Sequence, residues 1–270
     1  MSVLPALASE FSIPVDQIRD YRETGHTLVR GLASAGEVAA YRKAISDLTF
    51  CSAEGRPPLA ERDTYGKAFI QVTNLWRNSE DVARFVLARR FAQVAAELMG
   101  VPSVRLYHDQ ALFKEPGGGP TPWHQDQFYW PIESDRTITM WMPLVDASEE
   151  MGTMRFASGS GKEGYLGDMP ISDESEAVFN TFLAERGFPI VRAGSMAAGD
   201  ATFHSGWVLH GAPGNSSDAC REVMTVIYYD ASSRISPPKN AAQENDLAVW
   251  FPGRRPGDLA DSEINPVVFP

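Results

Sequence analysis

Pro122-Trp123-His124-Gln125-Asp126-Gln127-Phe128-Tyr129-Trp130-Pro131 is the stretch of this 270-residue chain on which the fold turns. His124 and Asp126 are two residues apart, so in extended backbone both side chains leave the same face. An imidazole nitrogen and a carboxylate so placed can share one metal ion. A third ligand must then come from a distant strand, and His210 in Val208-Leu209-His210-Gly211-Ala212-Pro213 is the candidate. Two histidines and a carboxylate on one face of an octahedron leave three positions open, the arrangement used for non-heme Fe(II). A bare His-x-Asp arises often by chance. What strengthens it is Arg221, eleven residues after His210 and opening a strand. The intervening Gly-Ala-Pro-Gly-Asn-Ser-Ser turn predicts that this strand lies antiparallel beside the one carrying His210. An arginine there can hold a carboxylate by two parallel charge-assisted bonds. Iron with open positions plus such an arginine suits a chelating 2-oxo acid.

Around this stretch the chain reads as short β-rich segments separated by Gly, Pro, Asp and Ser clusters. They are Ser103 to Lys114, Arg136 to Val145, Met154 to Phe156, Ile190 to Met196, Ala201 to His210 and Arg221 to Tyr229. Many short strands with turn signals predict an antiparallel sandwich or barrel. Residues 1–100 read as mostly helical support. Val15 to Tyr21 has a helical pattern, and His26 to Val29 suits a strand. Ser34 suits the N-cap of a helix through about Leu48. Val82, Val86, Phe91, Val94 and Leu98 mark the buried stripe of one helix that starts after Ser79 and stops at Gly100. Gly161 to Gly187 is an acidic, helical insertion. The expected architecture is one domain over 1–270, with a β core at about 101–235 and a C-terminal tail, 236–270, packed on that core.

Composition narrows the partners. Lys plus Arg number 24 and Asp plus Glu 35, a formal net charge of −11. That balance disfavours nucleic acid and anionic membrane, which need a positive footprint. No stretch approaches the roughly 20 apolar residues of a membrane span. The N-terminus lacks a basic region followed by an apolar run, so the expected location is cytoplasmic. Two cysteines are too few for a disulfide framework. Asn215-Ser216-Ser217 reads as a turn rather than a glycosylation site.

With these residues in hand, the chain resembles the phytanoyl-CoA dioxygenase family of Fe(II)/2-oxoglutarate oxygenases. The resemblance runs through Gly25 to Val29, Lys114-Glu115-Pro116-Gly117, Trp123-His124-Gln125-Asp126, and Trp141 with Leu144 and Asp146. It continues through Gly199-Asp200, His210-Gly211, Asn215-Ser216-Ser217 and Arg221, and ends in Asn265-Pro266-Val267. It implies a double-stranded β-helix, the jelly-roll or cupin-like fold. It implies iron held by His124, Asp126 and His210, and 2-oxoglutarate as cosubstrate with its distal carboxylate on Arg221. Gln110 and Trp141 match other cosubstrate-lining positions, and dioxygen is the oxidant. Many relatives carry Ser where this chain has Ala212, a loss of one hydrogen bond worth ~1 kcal/mol. The family's Pro-Gly-Ser-His stretch reads Ala157-Ser158-Gly159-Ser160-Gly161, which leaves the substrate open. Related halogenases replace the carboxylate at position 126 by a small residue, so Asp126 disfavours halogenation.

Plainer readings stand beside these. His204 competes with His210 as a ligand, since both can point inward from one strand; it is otherwise packed against the site. His108 shares strand parity with Gln110 and faces either the cavity or the barrel wall. Parity turns Asp109 away, to a solvated or turn role. Trp123, Phe128, Tyr129 and Trp130 line an apolar substrate pocket or simply pack. The glycine run after Pro116 reads as a mobile connection. The expected activity is oxidation of a C–H bond in a small, largely apolar molecule such as a secondary-metabolite or antibiotic intermediate. Two alternatives are a cupin-like metalloenzyme without 2-oxoglutarate and a non-catalytic ligand-binding β-barrel.

Overall fold

The computed structural model describes residues 4–270. The chain opens with α1 (Val15–Thr24), β1 (His26–Val29), α2 (Ala35–Ser52), α3 (Thr64–Ala68), β2 (Ile70–Thr73), α4 (Glu80–Val86) and α5 (Arg89–Met99). Ser34 starts α2 through a capping box: its hydroxyl accepts from the Glu37 backbone, and the Glu37 carboxylate accepts from the Ser34 N–H. Gly100, at φ 71°, supplies the left-handed residue that ends α5.

The single helix expected from Glu80 to Leu98 is two. Leu87 and Ala88 leave helical geometry, and Ala88 is extended at ψ 119°. No glycine or proline marks this break. Tertiary contacts impose it: the Arg90 N–H donates to Leu7 O at 3.1 Å, and its guanidinium grips Glu37 at 2.9 and 3.0 Å.

From Val104 the chain turns to strands. These are β3 (Val104–Phe113), β4 (Thr121–His124), β5 (Thr137–Pro143), β6 (Arg155–Ala157), β7 (Ile190–Arg192), β8 (Ala201–Ser205), β9 (His210–Ala212), β10 (Val223–Asp230) and β11 (Val267–Phe269). Helix α6 (Asp173–Arg186) follows β6, and α7 (Ala241–Trp250) follows β10. The larger sheet runs β1-β8-β5-β10-β3-β11, with β2 also on β3; the smaller runs β4-β9-β6-β7. All strand pairings among the described residues are antiparallel, and neither sheet closes into a barrel.

Strand alternation sorts the side chains. Ile138, Met140 and Met142 of β5, Phe203 of β8, and Met224 and Val226 of β10 face outward, into a core shared with Phe85, Phe91 and Leu98. Each such burial stabilises by ~1.5–3 kcal/mol. The alternate residues Thr139, Trp141, His204 and Thr225 line a cavity between the sheets.

Two strand expectations and one loop expectation are corrected. Ala201 to His210 is two strands in different sheets. The chain crosses between them at Gly206, where a Cβ would lie 2.4 Å from Thr137 Oγ1. Arg221 does not lead a strand beside β9. It bridges Lys114 by reciprocal 2.9 Å backbone bonds and enters the larger sheet, so it meets the cavity from the side opposite β9. The glycine run is pinned, with Gly119 N–H on Lys67 O and Gly117 N–H on Asn215 O. Asn215 is itself a turn residue: its amide donates to Lys114 O and Ala219 O. The tail holds α7, which no periodicity announced.

Asp109 turns away from the cavity as parity requires, but it is buried rather than solvated. Its carboxylate accepts from the Leu75 N–H at 3.0 Å. Burial pushes it up to about 7. A carboxyl whose pKa is higher folded than unfolded is stabilising when protonated, and that contribution is lost as pH rises from about 4 to about 7. Relative to wild type, Asp109→Asn should therefore gain stability across this window, by up to a few kcal/mol. Thermal unfolding of both proteins at pH 4 to 8 checks this; a pH-independent difference would refute it.

Candidate metal centre

His124 ends β4, Asp126 opens the 3₁₀ turn that follows, and His210 opens β9, which pairs with β4 in register His124 to His210. The pairing sets the two imidazoles side by side across the ladder, ring centres 4.1 Å apart and tilted 55° to each other. The Nε2 atoms of His124 and His210 each lie 3.5 Å from Asp126 Oδ1. One ligand atom from each of the three residues falls within 4.8 Å of the others.

Hydrogen bonds fix which atoms are free. His124 Nδ1 meets Pro122 O at 2.8 Å, and His210 Nδ1 meets Val208 O at 3.0 Å. A carbonyl can only accept, so each Nδ1 carries a proton, and each Nε2 is the ring atom left to meet a metal. Asp126 Oδ2 accepts from Thr139 Oγ1 at 2.7 Å and faces His204 Nε2 at 3.2 Å, which leaves Oδ1 toward the histidines. Burial, then the neighbouring His210, lowers the His124 pKa and keeps the ring neutral, as a ligand must be. Burial alone would raise the Asp126 carboxyl; the surrounding His210, His124 and His204 hold it well below the usual carboxylate range. This donor set of two imidazole nitrogens and one carboxylate oxygen fits Fe(II). His204 lies in the other sheet from His210 and supports Asp126.

The cavity measures about 430 Å³. Arg221 lines it, almost wholly buried, with its guanidinium on Gly152 O and 5.1 Å above the Trp141 ring. No carboxylate faces it among the described residues, and its Nε lacks a partner. Burial lowers the Arg221 pKa to about 9, and the neighbouring Lys114, also buried, falls to about 6. A buried cation without a counter-charge is costly, and the carboxylate of a dianionic cosubstrate would supply one. Gln110 and Trp141 line the same cavity; Gln110 Oε1 accepts from Gln71 at 2.8 Å. Ala212 stands opposite Thr121 in the strand register, and both line the cavity.

The substrate-facing residues divide. His108 and Trp130 line the cavity, joined by Tyr129. Trp123 and Phe128 do not. Trp123 follows strand alternation to the far side of β4, where its indole N–H donates to Asn180 of α6 at 3.0 Å and Arg155 lies 4.2 Å over the ring. Phe128 packs on Tyr129, and its carbonyl accepts from Asn240 and Gln243 of α7. Sequence reasoning missed Tyr65, Gln71 and Thr73, brought in around β2, and Asp246 and Trp250 on α7. None has a spacing to the metal motif that would mark it. His26 is structural, stacked at 4.6 Å on Phe156.

A family model described as phytanoyl-CoA dioxygenase matches residues 21–223. Ectoine dioxygenase of Bordetella parapertussis is 25% identical over 247 residues, 84% of this chain and 79% of that protein. A probable alpha-ketoglutarate-dependent hypophosphite dioxygenase of Stutzerimonas stutzeri is 28% identical over 156 residues, 54% of this chain; the match spans about half of that protein, 53%. Among solved structures, the non-heme alpha ketoglutarate dependent carbocyclase SnoK from nogalamycin biosynthesis superposes with TM-score 0.76 at 26% identity, covering 94% of this chain and 96% of its own. The epimerase SnoN, in complex with Fe3+, alpha ketoglutarate and nogalamycin RO, gives 0.74 at 28%, covering 94% and 97%. The chain belongs to the phytanoyl-CoA dioxygenase family. It is a non-heme iron, 2-oxoglutarate-dependent dioxygenase with that family's double-stranded β-helix. No helix among the described residues is long and apolar enough to cross a membrane.

His204→Ala should weaken Fe(II) binding by about 10–100-fold, the usual cost of losing a partner that orients a ligand. Anaerobic metal titration measures it, and unchanged affinity would remove His204 from this role.

Proposed function

We propose that residues 4–270 form one oxygenase domain that oxidises an unactivated C–H bond of a small, largely apolar organic molecule. The observation that carries this is that His124 and His210 both face one oxygen of Asp126, in one cavity with a buried Arg221 that no carboxylate meets. In this reading His124 Nε2, Asp126 Oδ1 and His210 Nε2 hold iron. Arg221 takes the distal carboxylate of 2-oxoglutarate, and Gln110 and Trp141 wall the cosubstrate. When bound, iron with 2-oxoglutarate and dioxygen supplies the oxidising power, with succinate and carbon dioxide as co-products.

The chain's own residues then bind, orient and exclude water. Thr139 and His204 hold Asp126 in one rotamer. The aromatic walls Trp130, Tyr129 and Trp141 keep the reacting carbon from bulk solvent and fix which hydrogen is nearest the metal. Where the substrate radical is held decides among hydroxylation, epimerisation, ring closure and desaturation. The solved relatives named as carbocyclase and epimerase, both from nogalamycin biosynthesis, favour a secondary-metabolite substrate. The net charge of −11 weighs against an acyl-CoA.

Fe(II) and 2-oxoglutarate added without oxygen should give the weak visible charge-transfer band of a chelated 2-oxo acid. Its absence in metal-replete protein would overturn the assignment. Asp126→Ala should lose the band while keeping the thermal transition. Arg221→Ala should raise the half-saturating 2-oxoglutarate concentration by at least about tenfold, the loss of one desolvated charge-assisted pair. An unchanged requirement would mean that another group meets the distal carboxylate.

A further inference from the structure

Three formally charged side chains line the cavity: Asp126, Arg221 and Asp246. The first two belong to iron and cosubstrate. Asp246, on α7, belongs to neither. It is 9% exposed and accepts from Tyr107 Oη at 2.7 Å. A carboxylate offers about four acceptor sites, so capacity is left for a donor arriving in the cavity. Burial raises its carboxyl to about 6, although Tyr107, Trp250 and Asn245 oppose the rise.

A bulge in β3 builds this corner. β10 pairs Val226 with Asp109 but Tyr228 with Leu106, so three steps of β3 oppose two of β10. Tyr107 and His108 therefore both turn inward, where strict alternation would send one out. The bulge is held from outside: Asn265 Nδ2 donates to Leu106 O and Tyr107 O at 3.1 Å each. Tyr107 then grips Asp246, and His108 lies 4.7 Å from the Trp250 ring. His108 is 4% exposed, lines the cavity, and its Nδ1 has no hydrogen-bond partner. Two polar groups with unused capacity thus face one aromatic-walled space.

We propose that Asp246, His108, Trp130 and Trp250 form a recognition site for a substrate that carries a protonated amine. This rests on the oxygenase reading above and deepens it. An ammonium brings further N–H donors to the Asp246 carboxylate, as charge-assisted bonds. The indoles of Trp130 and Trp250 wall the same cavity, and an indole face attracts a cation. Burial lowers His108 to about 4, so the ring is neutral and can accept a further N–H without opposing the charge. A carboxylate or phosphate substrate finds no cation here. Arg221, the cation that lines this cavity, bridges by backbone to Lys114 just beyond the end of β3, seven residues or roughly 20 Å of chain from Tyr107.

The test uses full-length protein loaded anaerobically with Fe(II) and 2-oxoglutarate. Calorimetry ranks three isosteric probes: cyclohexylmethylamine, cyclohexylmethanol and cyclohexanecarboxylate. The amine should bind at least about tenfold tighter than the alcohol, and the acid should not bind at millimolar concentration. Asp246→Asn, which keeps an acceptor for Tyr107, should erase the preference while leaving the chelate band intact. An alcohol or acid that matches the amine, or an amine that does not bind at millimolar concentration, overturns the proposal. So does a variant that keeps the preference. If the variant does not fold, the wild-type ranking decides alone. A chelate band without amine preference refutes only this site; loss of the band in wild type refutes the oxygenase assignment itself.

Discussion

The carboxylate of Asp126 stands where the two sheets meet, and the interior is organised around it. Thr139 of β5 and His204 of β8 reach it from the larger sheet; His124 of β4 and His210 of β9 reach it from the smaller. A carboxylate in such a place is tolerated only if it is met by donors or cations. Four strands therefore have to arrive in one register for the interior to be stable at all. The two ligand histidines use the same local device, each tying Nδ1 to the carbonyl two residues before it. That device fixes both tautomers by backbone geometry, independent of any more distant partner.

The two sheets contribute differently. The smaller sheet brings His124 and His210 on adjacent paired strands. The larger sheet brings the supports, Thr139 and His204, and the cationic end at Arg221, and its outer face carries the helices. Outward residues of β5, β8 and β10 are locked in a core with Phe85, Phe91 and Leu98. A close-packed layer of that kind resists small displacements, so the inner face is a rigid floor. Substitutions deep in the helical layer would act on the site through that floor rather than by contact.

Much of this was legible in the sequence, for reasons that can be named. His124 and Asp126 obey a period of two, and Arg221 sits at a fixed distance from His210, so local rules and motif spacing reach them. Ser34 and Gly100 are capping residues with local mechanisms, and they bound their helices as expected. The failures are tertiary. The Leu87–Ala88 break is imposed by Arg90 reaching Glu37, and no local residue signals it. Splitting β8 from β9 depends on the close approach of Thr137 and Gln127 to Gly206. Of the two readings open for Trp123, packing holds, as its alternation with His124 requires. Asp246 and Trp250 sit in a tail without periodicity, and only the folded chain brings them to the cavity.

The span matched by the family model ends at residue 223, and every residue placed around iron and cosubstrate lies before that point. Asp246, Trp250 and Asn265, which shape the opposite wall, lie after it. Oxidising machinery and one side of the substrate chamber are thus written in separable lengths of chain. Substitutions at Asp246 or Trp250 would reshape that wall and leave the His124, Asp126 and His210 side chains in place. The outline of the chamber and its metal-ligand set can therefore be varied independently.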